Sequence, residues 1–284
     1  MDSLREIDRW DVRNAAAGLL TEDGRLETYG ETSRSFRWAS VTKLVTALAS
    51  LVALEEGTLD LDDPAGPSGS TIKHLLAHSS GLPFLDGEPI SGSPGERRVY
   101  SNAGFNALGA ELATAAGIPF EEYVRVAVLE PLGMEGSHLR LDEKYGVAAA
   151  GGYGPLDDLV RLAAELMKPT LVAQETLDEA VTVAFPDLDG ILPGFGRQRP
   201  NDWGLGLELR GAKSPHWTGT TNSTRTFGHF GGSGTFLWVD PKARCALVCV
   251  TNRAFDAWAA EVWPHFADAV LAELAGGAAE PVSA

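Results

Sequence analysis

Arg244-Cys245-Ala246-Leu247-Val248-Cys249-Val250-Thr251 is apolar almost without interruption. With no glycine or proline inside it, the run reads as a central strand. Working outward, Trp203–Leu209, Thr226–Phe230 and Thr235–Val239 read as strands, and Phe255–Leu274 as a closing helix. At the other end of the chain, Ala15–Leu20 and Arg25–Tyr29 form a hairpin around Thr21-Glu22-Asp23-Gly24, followed by a short strand at Phe36–Trp38. The middle is different. Leu44, Val45, Leu48, Leu51, Val52 and Ala53 recur at helical spacing over Val41–Glu56, and Gly57 stops that helix. Ile72–His78, Ala103–Ala116, Phe120–Leu129, Pro155–Met167 and Gln174–Val183 continue the helical pattern, with Asp60–Ser70 and Phe185–Asn201 as loops.

Strands, then helices, then strands predict an α+β fold in a single domain, 1–284. The N- and C-terminal strands (about 12–57 and 203–275) share one antiparallel sheet with flanking helices. A mostly helical subdomain (about 58–202) is inserted beside it, and 276–284 reads as a disordered tail. A ligand cleft is expected where the two parts meet.

The two cysteines lie four residues apart on that central strand. They share a face about 13 Å apart, too far for a disulfide, and read as buried apolar fillers. No CxxC or HExxH pattern suggests a metal site, and no cofactor is implied. Of 284 residues, 44% are hydrophobic and 22% charged, an ordinary globular composition. The net charge of −16 argues against nucleic-acid or anionic-membrane partners, which need lysine and arginine. Met1-Asp2-Ser3-Leu4-Arg5-Glu6 lacks the apolar segment of a secretory leader, and no apolar run approaches the ~18 residues of a membrane span. The expected location is cytoplasmic, and no residue pattern fixes an oligomeric state.

Three segments carry candidate chemistry. Ser40-Val41-Thr42-Lys43 opens the long helix, so Ser40 and Lys43 share a face. A serine hydroxyl needs a base, and a desolvated lysine near a helix start can be one. The backbone N–H of Ser40 is also free to stabilise an oxyanion. Chance predicts about 0.4 Ser-x-x-Lys pairs in this composition, yet Ser70-Thr71-Ile72-Lys73 is a second. Ser70 is read as a helix cap. Tyr100-Ser101-Asn102 precedes another helix. Its serine or asparagine could simply cap that helix. Equally, Tyr100, its pKa lowered by a lysine ammonium, could relay protons while Asn102 orients Lys43. His229-Phe230-Gly231-Gly232-Ser233-Gly234 lies between strands. It is either a plain hairpin turn or a sheet edge open to close approach by a substrate.

Together, in this order, the three segments resemble the serine β-lactamases and penicillin-recognising enzymes. The Tyr-x-Asn form resembles the class C branch, D-aminopeptidases and β-lactamase-like esterases. His74-Leu75-Leu76-Ala77-His78-Ser79-Ser80-Gly81-Leu82-Pro83, Pro131-Leu132-Gly133-Met134, Ala150-Gly151-Gly152-Tyr153 and Trp203-Gly204-Leu205-Gly206-Leu207 add to the likeness, which covers about residues 12–275. The resemblance implies a β-lactamase-like fold and an acyl-enzyme on Ser40, with Lys43 and Tyr100 sharing the base role. Asn102 would bind substrate or orient Lys43. The amides of Ser40 and Gly232, on the Gly231-Gly232 edge, would form the oxyanion hole. His229 stands where β-lactamases carry lysine. A histidine is only partly charged near neutral pH, so an anionic β-lactam loses attraction. The expectation is therefore a serine hydrolase of small esters or amides. The alternatives are a β-lactamase or D-stereospecific peptidase, or a ligand-binding protein without turnover. Phe185–Asp202 and Gly211–Thr224, carrying Phe195, Trp203 and Trp217, are the segments expected to shape the substrate site.

Overall fold

The computed structural model describes residues 1–277. After a 3-10 turn at Ser3–Arg9 come β1 (Ala15–Thr21), β2 (Leu26–Gly30), β3 (Phe36–Arg37) and α1 (Thr42–Glu55). Next are α2 (Ile72–Leu76), α3 (Asn102–Ala116) and α4 (Phe120–Val124), the last extended by a π-helical turn to Leu129. Then follow β4 (His138–Leu139), α5 (Val147–Ala150), β5 (Gly152–Gly154), α6 (Leu156–Met167) and α7 (Gln174–Ala180). The chain continues with β6 (Gly190–Leu192), β7 (Gly196–Gln198), β8 (Glu208–Leu209), β9 (Phe227–Gly231), β10 (Thr235–Asp240), β11 (Cys245–Thr251) and α8 (Ala257–Gly277).

The apolar run is indeed central. The main sheet has the order β2-β1-β11-β10-β9-β8, every pair antiparallel, with Ala17 opposite Cys249 and Leu237 opposite Val248. The N- and C-terminal strands therefore share one sheet. Alternation explains why β11 has no polar face. Ala246, Val248 and Val250 join the larger core with α1 and α6. Cys245, Leu247 and Cys249 face the other way, into a cluster with Trp263 and Phe266 of α8. Both thiols are free and buried on that one face.

Helix α1 is buried from Thr42 to Ala53, with no solvent face. Its hydroxyls close on backbone: Thr46 donates to Ala148 O (2.7 Å) and Ser50 to Thr46 O (2.9 Å). Gly57, at φ +72°, ends it in the left-handed region that suits glycine. Helix α6, grouped by composition with the helical middle, covers the sheet through Leu156, Leu159, Val160 and Ala163. A small sheet, β3-β5-β4, joins the segment before Ser40 to residues 138–154.

Several local expectations change. Phe185–Asn201 contains the hairpin β6–β7, made of three-residue strands too short and glycine-rich to show a period. In Trp203–Leu209 only the last two residues join the ladder; Trp203 makes an isolated bridge to Glu208 around a Gly204–Gly206 bend. Gly276 and Gly277 belong to α8 rather than to a tail, and the rest of the expected tail lies outside the described residues. Ser70 is not a cap: Thr71 holds the N-cap position of α2, and the buried Ser70 hydroxyl has no partner.

Candidate active site

Ser40 sits in the 3-10 turn Ala39–Val41 that leads into α1. Ala39 before it is held at φ +46°, an uncommon conformation for a residue with a side chain. Two neighbours fix this turn. The Trp38 indole, fully buried, donates to Gly154 O (3.1 Å). The backbone of Gly231, at the end of β9, lies so close that a side chain there would collide with the Trp38 carbonyl and crowd the Ser40 amide. This is the close approach that glycine on a strand edge permits.

One helical turn on, Lys43 is fully buried. Its Nζ donates to Asn102 Oδ1 (2.6 Å) and Ala149 O (3.0 Å) and lies 3.4 Å from Ser40 Oγ. Burial holds the amine well below the ordinary lysine range, and no carboxylate opposes that. Asn102 is placed by the start of α3. Ser101 caps that helix, its Oγ accepting from Gly104 N–H (2.7 Å) and donating to Pro83 O (2.6 Å). The cap of this segment is thus Ser101, and the Asn102 amide is left to meet Lys43.

Tyr100 differs from expectation. No ammonium lowers its pKa; burial pushes the phenol up, and the Ser40 hydroxyl opposes this only in part. His229 also differs. It is 3% exposed, and its Nδ1–H donates to Phe230 O (2.6 Å), while Nε2 is buried without a partner. Burial, the largest cause, brings it down to about 3, so the imidazole is neutral rather than partly charged.

Ser40, Tyr100, Asn102, His229 and Gly232 line one cleft of about 350 Å³; Lys43 and Gly231 lie just behind it. Its remaining walls are mostly apolar and aromatic: Phe84, Tyr145, Leu192, Pro193, Trp203 and Phe255. Of the two segments expected to shape the site, Phe185–Asp202 supplies Leu192 and Pro193, with Trp203 just after it. Gly211–Thr224 supplies none of the lining. That segment packs behind the wall instead, where Lys213, His216 and Trp217 all bond Glu208. Phe195 and Trp217 belong to the core under α8. Burial alone would raise the Glu208 carboxyl, yet Lys213 and His216 hold it at about 2. Arg37 also lines the cleft, paired with Asp142. Sequence reasoning missed Glu208 and Arg37, because isolated charges carry no periodic signal. Among the described residues, no group of histidine, cysteine and carboxylate side chains is arranged to hold a metal. No described helix is long and apolar enough to cross a membrane.

Similarity to known proteins agrees with this geometry. The Beta-lactamase family profile matches residues 21–272. Esterase EstB of Burkholderia gladioli is 26% identical, over 84% of this chain and 82% of its own. The D-alanyl-D-alanine-carboxypeptidase/endopeptidase AmpH of Escherichia coli is 28% identical, but over only 35% of each chain. A crystal structure of a β-lactamase from Mycobacterium bovis superposes with a TM-score of 0.92 at 51% identity, covering 96% of this chain and 99% of that one. The fold is β-lactamase-like, the family and its named relatives are hydrolases, and the chain belongs to the Beta-lactamase family.

Proposed function

We propose that the chain is a serine hydrolase that forms an acyl-enzyme on Ser40 and acts on small carboxylic esters or amides. The observation that carries this reading is the valence of Lys43. A neutral amine has two N–H bonds and one lone pair. Asn102 Oδ1 and Ala149 O take the two N–H bonds, which leaves the lone pair for the Ser40 hydroxyl. At 3.4 Å that contact is long, as catalytic hydrogen bonds without substrate often are.

In this mechanism Lys43 removes the Ser40 proton as Oγ attacks the carbonyl carbon. The oxyanion is held by the Ser40 and Gly232 amides at the cleft wall. Tyr100, kept a phenol, gives its proton to the leaving group and regains one from the Lys43 ammonium. Water then attacks the ester on Ser40 and gives a proton to the neutral Lys43 amine, which passes one to the serine oxygen as it leaves.

Esters and neutral amides are favoured over anionic β-lactams because the position of His229 carries no charge, and Arg37 is neutralised by Asp142. β-Lactam hydrolysis is the second reading, supported by the M. bovis relative and its 51% identity. Intact-mass analysis after exposure to a fluorophosphonate tests the mechanism. One adduct, mapped to Ser40 and absent from Ser40→Ala, is expected; a fully active Ser40→Ala protein would refute it. Comparing p-nitrophenyl acetate with nitrocefin tests the substrate class, and a much larger kcat/KM on nitrocefin would favour the second reading.

A further inference from the structure

His78 lies outside the constellation just described, yet it touches the residues that support it. It follows α2, is 1% exposed, and is held at φ +53°. Histidine is among the few residues enriched in that left-handed region. Its backbone carbonyl accepts from Val99 N–H (2.8 Å), and its Nδ1 accepts from Ser101 N–H (3.1 Å). The two bonds bracket Tyr100. The ring packs at 4.8 Å from Tyr100 and 4.9 Å from Phe105, and stands edge-on to Trp203 at 4.5 Å and 84°. Lys43 Nζ sits over the same two rings, 4.9 Å from Tyr100 and 5.4 Å from Phe105.

Because Nδ1 accepts a backbone N–H, the proton of the neutral ring is on Nε2, which is buried without a partner. An imidazolium would set Nδ1–H against the Ser101 N–H. Burial, the largest cause, together with the Arg98 guanidinium nearby, keeps the ring uncharged. A side chain here must therefore accept one backbone N–H, fill a gap among three aromatic rings, and carry no charge. Neutral imidazole meets all three demands.

We infer that His78 is the positioning residue of the Tyr100–Asn102 segment, setting where the phenol and the amide meet Lys43 and Ser40. The inference rests on the hydrolase reading above. It also ties the cleft wall at Trp203 to the base, so one buried ring fixes both.

Two substitutions separate positioning from mere support. His78→Asn tolerates the left-handed backbone and keeps an acceptor for Ser101. His78→Phe keeps an aromatic ring and removes the acceptor. Both lower Tm. The expected split is in turnover: His78→Phe loses about 50-fold in kcat with KM within about threefold, as misplaced catalytic groups do, while His78→Asn stays within about fivefold of wild type. Equal losses of kcat in the two variants, or a folded His78→Phe with unchanged kcat, would overturn the inference. The ¹⁵N spectrum of wild-type histidines, with the His78 ring assigned by correlation to its own backbone amide, gives a reading independent of how the variants fold. A bare Nδ1 from pH 5 to 8 is expected, and an imidazolium at pH 6 overturns the role. Fluorophosphonate labelling of wild-type Ser40 keeps the two failures apart. Labelled wild type with insensitive His78 variants removes the positioning role alone; unlabelled, inactive wild type removes the hydrolase reading.

Discussion

Two lysines are buried beside the cleft, and they have opposite fates. Lys43 and Lys213 are 0% and 3% exposed. Lys213 meets the Glu208 carboxylate and also donates to Asp202 O (2.7 Å) and Leu209 O (2.5 Å). All three protons of an ammonium are used. Burial lowers its affinity for a proton, but Glu208 works against this. Lys43 has no carboxylate, only two carbonyl-type acceptors and a serine. Burial is thus common to both; what decides the charge is the partner. An ammonium with its carboxylate becomes a fixed internal cross-link, and an amine without one keeps the lone pair that the proposed base role of Lys43 needs.

The largest effect should come from Lys43→Ala. Loss of at least about 10³-fold in kcat/KM on p-nitrophenyl acetate is expected, measured on protein whose fold is checked by circular dichroism. The acid limb of the wild-type kcat/KM profile should report the same amine. Activity rises as pH increases through the lowered Lys43 pKa, because only the neutral form takes the Ser40 proton. A profile with its limb near the ordinary lysine value would break the comparison. Lys213→Met should instead cost stability, about 3–5 kcal/mol in urea unfolding, because it leaves the Glu208 charge buried without its ammonium partner. Its kcat/KM should fall far less than that of Lys43→Ala; equal kinetic losses would show that the two lysines are not distinct in kind.

His229→Lys adds a third lysine beside the cleft, this one on its wall, and tests the rule directly. Glu208, a carboxylate that lines the same cleft, is already bonded by Lys213, His216 and Trp217. An added ammonium there should raise the nitrocefin to p-nitrophenyl acetate rate ratio by about tenfold, equivalent to about 1.4 kcal/mol. An unchanged ratio would mean that charge at this position does not select the substrate. The smallest effect belongs to Ser70→Ala. The Ser70 hydroxyl is buried without a partner, so Tm and kcat/KM should stay close to wild type or Tm rise slightly.

Periodic residues made the frame readable. The unbroken β11 run and the helical spacing of α1 reflect burial on both faces or all round, and burial of that kind writes itself into local sequence. The β6–β7 hairpin did not, because Gly190, Gly194 and Gly196 serve backbone geometry rather than a core. At the site, the residue types of Ser40, Lys43, Tyr100, Asn102 and His229 pointed to chemistry, and folding brings them to one cleft. Their protonation was not readable. Tyr100 was expected to be lowered by an ammonium, but the depth of Lys43 is a tertiary fact. Glu208, Lys213 and His216 look like surface charges in sequence, and only contact across the sheet edge pairs them.

The two thiols under α8 have a practical consequence. Cys245 and Cys249 are fully buried, and burial raises both, Cys245 to about 12. Neither offers a thiolate to an alkylating reagent at neutral pH. A single cysteine introduced on the surface is therefore the sole reactive handle of the native protein. A maleimide fluorophore can be attached near the cleft mouth, at exposed Ile191 for example, without first removing the natural sulfurs from the core.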